Sequence, residues 1–211
     1  MREARAGIER GGLFDKQHSS SPPVKASGNV KGSVLASRLA FVREQRSDAV
    51  LARVLARLTP PDQAVLKGML LPFAWYPFET NERLDRAIAD ELGLGEEIFL
   101  RLGAKSAEDN LTSASQRHYM DERNPQGLLK NTSAIYRVYY DTGHRNYVKM
   151  ANNAAVLRTH ESLSFSAADC LTVVGWYERA IQMCGGRNVR VVETQCRARG
   201  EPVCEYSCAW E

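Results

Sequence analysis

Three cysteines and one glutamate near the C-terminal end carry the residue types of a metal site. Cys170, Glu193, Cys196 and Cys204 are spaced as Cys-x22-Glu-x2-Cys-x7-Cys. Three thiolates and one carboxylate make a complete tetrahedral ligand set for Zn²⁺, and a set without an open position is typical of a structural metal. The alternative interpretation is that the thiols are small core hydrophobes and that Glu193 is a surface charge.

The two remaining cysteines fit this cluster less well. Cys184 is 14 residues beyond Cys170, roughly 21 Å along a helix at about 1.5 Å per residue, so the two cannot share an ion. Cys208 lies on the same strand face as Cys204 but roughly 13 Å away, so only one of that pair can bind. Cys204 is nearer the turn that holds Cys196, and Cys208 is therefore the reserve ligand.

The elements that must position the cluster are a helix and two strands. Ser166 and Asp169 form a capping box that predicts a helix over residues 166–184. The segments NVRVVETQ and VCEYSCAW are typical of strands. Glu193 and Cys196 would face opposite sides of a regular strand, so the strand must bend or end between them if both bind one ion.

The rest of the chain divides into a tail, a helical part and a sheet part. Residues 1–27 are polar and predict a disordered tail. Apolar residues at helical spacing predict a mainly helical part over 28–133, and the alternation that starts near Ile135 predicts strands over 134–211. We therefore expect one α+β domain over 28–211, with a helical N-terminal part, an antiparallel sheet with an inserted helix, and a zinc-stapled C-terminal hairpin.

Composition narrows the classes of partner. The net charge of +3 is too small to argue for nucleic acid or an anionic membrane. No apolar run approaches the ~20 residues needed to span a bilayer, and no apolar leader is visible. We expect a cytoplasmic protein, in which five cysteines do not form a disulfide framework because that compartment keeps thiols reduced.

From Cys170 onward the chain resembles the 4-vinyl reductase domain. The resemblance lies in Cys170 followed by Gly175-Trp176, and then in the segment ETQCRARGEPVC from Glu193 to Cys204. That domain binds small molecules in bacterial aromatic and phenol sensors and occurs in bacteriochlorophyll-linked proteins. The resemblance implies a structural zinc on Cys170, Glu193, Cys196 and Cys204, beside an effector pocket.

The resemblance also carries expectations about assembly. The N-terminal part, including LLPFAWYPFET, is similar to an uncharacterised myxobacterial paralogous family. The related fold also occurs in subunits of a tethering complex and often dimerises, so a homodimer is expected. The aromatic sensors add an ATPase and a DNA-binding helix-turn-helix, and neither is expected in this chain. A separate signalling or transcription partner is therefore expected rather than direct DNA binding.

Aromatic residues are the candidates for a ligand pocket. Tyr139, Tyr140, Trp176 and Tyr177 could line an apolar pocket, although ordinary core packing is the simpler explanation for any single one of them. His118, His144 and His160 could serve a haem or a proton-transfer site, but none has a recognisable partner spacing.

The leading hypothesis is a non-enzymatic sensor module that binds an apolar or aromatic small molecule beside a structural zinc. The first alternative is an enzyme or accessory protein acting on a tetrapyrrole. The second is a dimerising assembly subunit without a ligand. No dinucleotide fingerprint is present, so the name of the resembling domain is no argument for a reductase.

Overall fold

The computed structural model describes residues 27–121 and 123–211. These ranges contain eight α-helices and two antiparallel sheets, so the fold is mixed α+β. The tail predicted over residues 1–27 lies outside the described residues except for Ser27. None of the helices in the described ranges is long and apolar enough to cross a membrane.

The first half of the fold is a helical layer with its own apolar core. Its helices are α1 (Gly32–Gln45), α2 (Asp48–Ala56), α3 (Pro60–Lys67), α4 (Phe78–Leu92) and α5 (Glu97–Leu111). Ser47 and Thr59 accept hydrogen bonds from backbone N–H groups in the first turns of α2 and α3, which satisfies donors that a helix start leaves free. Gly93, in the left-handed region at φ 66°, ends α4. Two short strands, β1 (Asn29–Lys31) and β2 (Trp75–Pro77), pair with each other.

The second half is a four-stranded sheet with one long helix against it. Its elements are α6 (Pro125–Lys130), α7 (Thr132–Tyr139), β3 (His144–Ala151), β4 (Ala154–His160), α8 (Ala167–Met183), β5 (Arg190–Gln195) and β6 (Cys204–Ala209). The strand order is β3-β4-β6-β5, with every neighbouring pair antiparallel. Helix α8 contacts β5 and β6 and also packs along α5, so it joins the sheet to the helical layer.

The strand predicted to start near residue 134 is wrong, because residues 132–139 form α7. Thr132, Ile135, Tyr136 and Tyr139 are buried, and their spacing of three and four residues places them on one helical stripe. Aromatic and β-branched residues favour strands in general, but here burial of that stripe decides the local structure. The sheet begins only at His144.

The bend predicted between Glu193 and Cys196 is confirmed. Glu193 pairs with Tyr206 and Gln195 pairs with Glu205, with a register shift between the two pairs. Strand β5 ends at Gln195, and Cys196 begins the turn into β6. An extra residue in one strand reorients the side chains that follow it, which allows Glu193 and Cys196 to face the same point.

Helices α5 and α8 touch through their backbones at two glycines. A Cβ atom added to Gly103 would lie 1.9 Å from the carbonyl oxygen of Thr172, and one added to Gly175 would lie 2.0 Å from that of Leu100. Both distances are far below van der Waals contact. Only glycine therefore permits this separation of the two helices.

We expect Gly175→Ala to destabilise the protein. Alanine favours a helix over glycine by up to about 1 kcal/mol, but the methyl group must push α5 away from α8, and overpacking of this kind costs about 1–3 kcal/mol or more. Chemical denaturation should show a net loss of unfolding free energy. Gln182→Ala, an exposed change on the same helix, should have little effect, and equal stability of the two variants would contradict the interpretation.

Candidate ligand cavity and metal centre

The four residues singled out as metal ligands converge at one point. One ligand atom from each of Cys170, Glu193, Cys196 and Cys204 lies within 4.8 Å of those of the other three. The Cys170 sulfur is 3.5 Å from the Cys204 sulfur and 3.8 Å from the Cys196 sulfur. All three cysteines are buried, and neither carboxylate oxygen of Glu193 has a hydrogen-bond partner in the described part of the chain.

The thiols of this cluster differ in acidity. The hydrogen bond that Cys170 donates lowers the pKa of the Cys204 thiol, with a smaller contribution from the backbone N–H of Arg197. The same hydrogen bond, together with burial, raises the pKa of Cys170. Burial raises the pKa of Cys196, and the neighbouring Glu193 adds to that shift. Cys204 is therefore the readiest of the three to supply a thiolate.

The two other cysteines lie outside this group. Cys184 follows the last turn of α8 and is buried in the core. Cys208, the reserve ligand, pairs with Val191 and Ala155 in the sheet and is fully buried. Burial raises the pKa of the Cys208 thiol to about 12, so this side chain behaves as a small core hydrophobe.

A cavity lies where α1, α5, α7, α8 and the start of β3 meet. It holds about 420 Å³ of unoccupied space, part of which is continuous with solvent. Tyr139, Tyr140, Trp176 and Tyr177 all line it, together with Tyr136. Only about 40 Å³ of this space is wide enough for a water-sized molecule, far below the range of about 300–1,000 Å³ found for small-molecule sites. A small organic molecule therefore needs the side chains of the wall to move apart. The lining itself is of the apolar and aromatic kind that is usual in such sites.

The tyrosine hydroxyls in the cavity wall are held by protein partners. Tyr136 donates to the carbonyl of Thr142, Tyr139 to Gln116 and Tyr140 to Asp169. Tyr177 shares a hydrogen bond with Thr132. Burial raises the pKa values of Tyr136, Tyr139 and Tyr140, so these side chains stay neutral phenols. The rings therefore supply fixed apolar surface rather than charge.

Two buried arginines in the wall were not identified from the sequence. Arg38 on α1 forms an ion pair with Asp85 on α4, with a nitrogen–oxygen distance of 3.1 Å. Arg145 on β3 donates to the Thr159 hydroxyl at 2.8 Å and to the Tyr177 hydroxyl at 3.4 Å. The sequence held one weak indication that Arg145 faces inward. Arg145 stands two residues before Tyr147, and alternate residues of a strand lie on the same face of the sheet.

The histidines lie apart from the cavity. His118 is exposed. His144 and His160 pair across β3 and β4 and stack on each other with ring centroids 5.1 Å apart. His144 is next to the inward-facing Arg145, and His160 is next to the inward-facing Thr159. Because successive strand residues point to opposite faces, both histidine side chains lie on the face of the sheet away from the cavity.

Comparison with known proteins identifies the fold. No protein-family model matches the chain. A search of curated proteins also finds no match in sequence. Among solved structures, an H-NOX protein from S. oneidensis in the Fe(II)NO ligation state matches with a TM-score of 0.68 and 15% identity, covering 86% of this chain and 99% of that one.

Other H-NOX structures agree with this match. The Fe(II) unliganded H-NOX protein from K. algicida matches with a TM-score of 0.66 and 9% identity, covering 86% of this chain and 96% of that one. A structure from work on haem redox potential and porphyrin distortion matches with a TM-score of 0.63 and 12% identity, covering 85% of this chain and 99% of that one. At such low identity these matches establish an H-NOX-like fold.

Two expectations are corrected by these matches. The chain was expected to be a 4-vinyl reductase domain, and the structures that share its fold are H-NOX proteins instead. Structural zinc was expected as the cofactor, but the metal named for those structures is iron, as Fe(II) or in haem. The spacing of the cysteines was compatible with zinc, but spacing alone does not select the ion.

Haem does not fit the residues of this cavity. No histidine, cysteine or methionine is among the residues that line it, although those are the common protein ligands of haem iron. Tyrosine can also ligate haem, but the phenols here are neutral and hydrogen-bonded to protein groups. The shared fold therefore does not bring a haem-ligand set with it.

We expect Asp85→Asn to lower stability strongly. Arg38 and Asp85 are 2% and 1% exposed, and removing one charge of a buried pair leaves the other uncompensated, at a cost of about 3–5 kcal/mol. Denaturant titration should show this loss. Asp48→Asn removes a charge from the exposed pair with Arg43 and should have a far smaller effect. Similar losses in both variants would contradict the importance of the buried pair.

Proposed function

We propose that this protein is a non-enzymatic regulatory module that binds a small apolar or aromatic molecule in the cavity between α1, α5, α7, α8 and β3. The observation that carries the proposal is the cavity itself, which has five aromatic side chains and few polar groups in its wall. This composition is the usual one for small-molecule sites.

The position of the cavity suits a sensor. Its wall combines α1 and α5 of the helical layer with α7, α8 and β3 of the sheet part. A molecule that binds one packing of these two parts better than another shifts the population between them. The Fe(II)NO state described for the S. oneidensis protein shows that this fold can hold a small molecule in that protein.

The two alternative functions have less support. An enzyme or accessory protein acting on a tetrapyrrole would need a wide cleft with titratable groups, whereas this cavity is narrow and its phenols are neutral. An assembly subunit without a ligand would have no need of two arginines in an aromatic cavity wall. The homodimer and the separate signalling or transcription partner remain predictions, which sedimentation and co-purification can measure.

We propose further that Cys170, Glu193, Cys196 and Cys204 bind one metal ion that holds the β5–β6 hairpin against α8. The support is the convergence of the four ligand atoms and the two buried carboxylate oxygens without hydrogen bonds. Buried acceptors of this kind are costly unless a cation or donor meets them. Thiolates select thiophilic ions, and the identity of the ion is left to measurement.

The metal site predicts different results for two cysteine variants. Cys196→Ser should lose bound metal and melt at a lower temperature, because one of the four ligands is removed. Cys184→Ser, at a buried cysteine outside the cluster, should keep its metal. Elemental analysis of protein purified without added metal checks both. A wild-type protein without metal, or equal metal content in Cys196→Ser and wild type, would contradict the site.

The cavity predicts that a small molecule is retained by the native protein. Native mass spectrometry of protein purified from its own host should show a non-covalent adduct of low mass. Val173→Phe, which enlarges a side chain in the cavity wall, should lose the adduct. Val192→Phe, at a partly exposed position on β5, should keep it. No adduct in the wild-type protein would count against a ligand-binding function.

A further inference from the structure

Arg145 is a buried cation that forms no ion pair with any residue that the structure describes. The residue is 6% exposed, and its guanidinium carbon lies 4.9 Å from the ring centroid of Tyr136, 5.5 Å from that of Tyr177 and 5.4 Å from that of Tyr206. In the described part of the chain no carboxylate oxygen lies within 4.0 Å of its nitrogens. Aromatic faces attract a cation, but buried charges in proteins are normally paired.

The hydrogen bonds of Arg145 leave donors unused. An arginine has five N–H donors, and the bonds to Thr159 and Tyr177 use Nε and Nη1. For Nη2 no hydrogen bond is found with any described residue. Asp169 and Arg145 both line an adjoining pocket, and the positive charge of Arg145 lowers the pKa of Asp169 against the larger, opposite effect of burial. The two oxygens of Asp169 accept the hydroxyl of Tyr140, and they form no ion pair with the guanidinium.

A second orphan donor lines the same cavity. Trp176 is 8% exposed, and its indole Nε1 is buried without a hydrogen-bond partner among the described residues. The tyrosine hydroxyls nearby already donate to protein groups. Among the described residues, the wall of the cavity therefore offers two donor groups without a hydrogen-bond acceptor and one positive charge without an ion pair. A group with acceptor oxygens and negative charge would satisfy them.

The other arginine of the cavity wall, Arg38, differs from Arg145 because it forms an ion pair. Both arginines line the cavity, but Arg38 is neutralised by Asp85, which also accepts from Asn81. The thiol groups of Cys170 and Cys204 are also near Arg145, which lines the small pocket beside them as well as the cavity. However, its Nη1 is directed to Tyr177, which lines the cavity and not the pocket beside Cys170 and Cys204.

We propose that the ligand of the cavity is an aromatic carboxylate whose carboxylate binds Arg145 and whose ring packs among the tyrosines and Trp176. This inference rests on the proposed function, since it specifies the chemical class of the ligand for the same cavity. Arginine presents its N–H groups in a fork that matches a carboxylate, and charge-assisted hydrogen bonds are the stronger ones. Trp176 Nε1 is the second donor that the ligand can use.

Calorimetric titration with matched pairs of probes tests this assignment. Benzoate and 2-naphthoate are compared with benzamide and 2-naphthamide, which have nearly the same shape without the charge. Of benzoate and 2-naphthoate, one will bind the wild-type protein more tightly. We expect that carboxylate to bind at least tenfold more tightly than the amide of the same ring. Arg145→Met should reduce that preference to less than threefold, whereas Arg158→Met, at a half-exposed arginine of the neighbouring strand, should retain it.

Thermal unfolding without ligand separates this role from a structural one. Because Arg145 forms no ion pair with a described residue, Arg145→Met should melt at the wild-type temperature or above it. Arg38→Met should melt lower, since it leaves Asp85 unpaired. A fall for Arg145→Met as large as that for Arg38→Met would show that the charge serves the fold, and loss of bound metal in Arg145→Met would show that it serves the cysteine cluster. Either result overturns the proposal.

The remaining outcomes distinguish this proposal from the proposed function. Amides that bind as tightly as carboxylates would overturn the anionic ligand and leave a ligand-binding module in place. Haemin binding with a Soret band that persists in Arg145→Met would overturn the aromatic acid in favour of a tetrapyrrole. If neither probe series binds, the aromatic carboxylate is overturned, and the host-purified protein examined by native mass spectrometry still decides whether the cavity holds any ligand.

Discussion

The backbone contact between α5 and α8 at Gly103 and Gly175 is the constraint on which the other features depend. Because no side chain fits between the helices there, their axes are held close, and the space beyond the contact has to be enclosed by α1, α7 and β3. Helix α8 then serves both candidate sites. Trp176 and Tyr177 face the cavity, while Cys170, at the start of the same helix, meets the β5–β6 hairpin. A change in the packing of α8 would therefore reach both sites.

The distribution of buried charge distinguishes this cavity from an ordinary core. The Arg38–Asp85 pair is complete, so it fixes α1 against α4 and needs no further partner. Arg145 and Trp176 present N–H donors that no described residue accepts from. Unpaired buried donors cost free energy in the empty protein, and a ligand with acceptor oxygens recovers it. The chemistry of the wall thus favours an organic anion, although H-NOX structures of the same fold are described with iron and haem.

Local patterns predicted some elements well and failed at others for identifiable reasons. The capping box at Ser166 predicted α8, and the three-residue separation of Glu193 and Cys196 required the bend that the register shift provides. The segment from Thr132 to Tyr139 was predicted as a strand because its residues have high strand propensity, but burial of one helical stripe overrides that propensity. The family was inferred from a short C-terminal likeness, and the zinc from the types and spacing of the four ligands together with that likeness. By contrast, 86% of the chain superposes on an H-NOX structure.

The sequence by itself determined that three cysteines and one glutamate near the C-terminal end could form one site. These residues lie on a helix and two strands, and the geometry of such elements is regular and set by local residues. The sequence also determined the mixed α+β class, since the periodicities of helix and strand are local properties. Only the tertiary structure decided that Arg38 and Arg145 line one cavity with five aromatic residues. It also decided that Arg38 forms an ion pair, whereas Arg145 forms none with the residues described. Burial and charge compensation depend on residues far apart in the chain, such as Arg38 and Asp85 or Arg145 and Tyr177, and no local pattern records which of them meet.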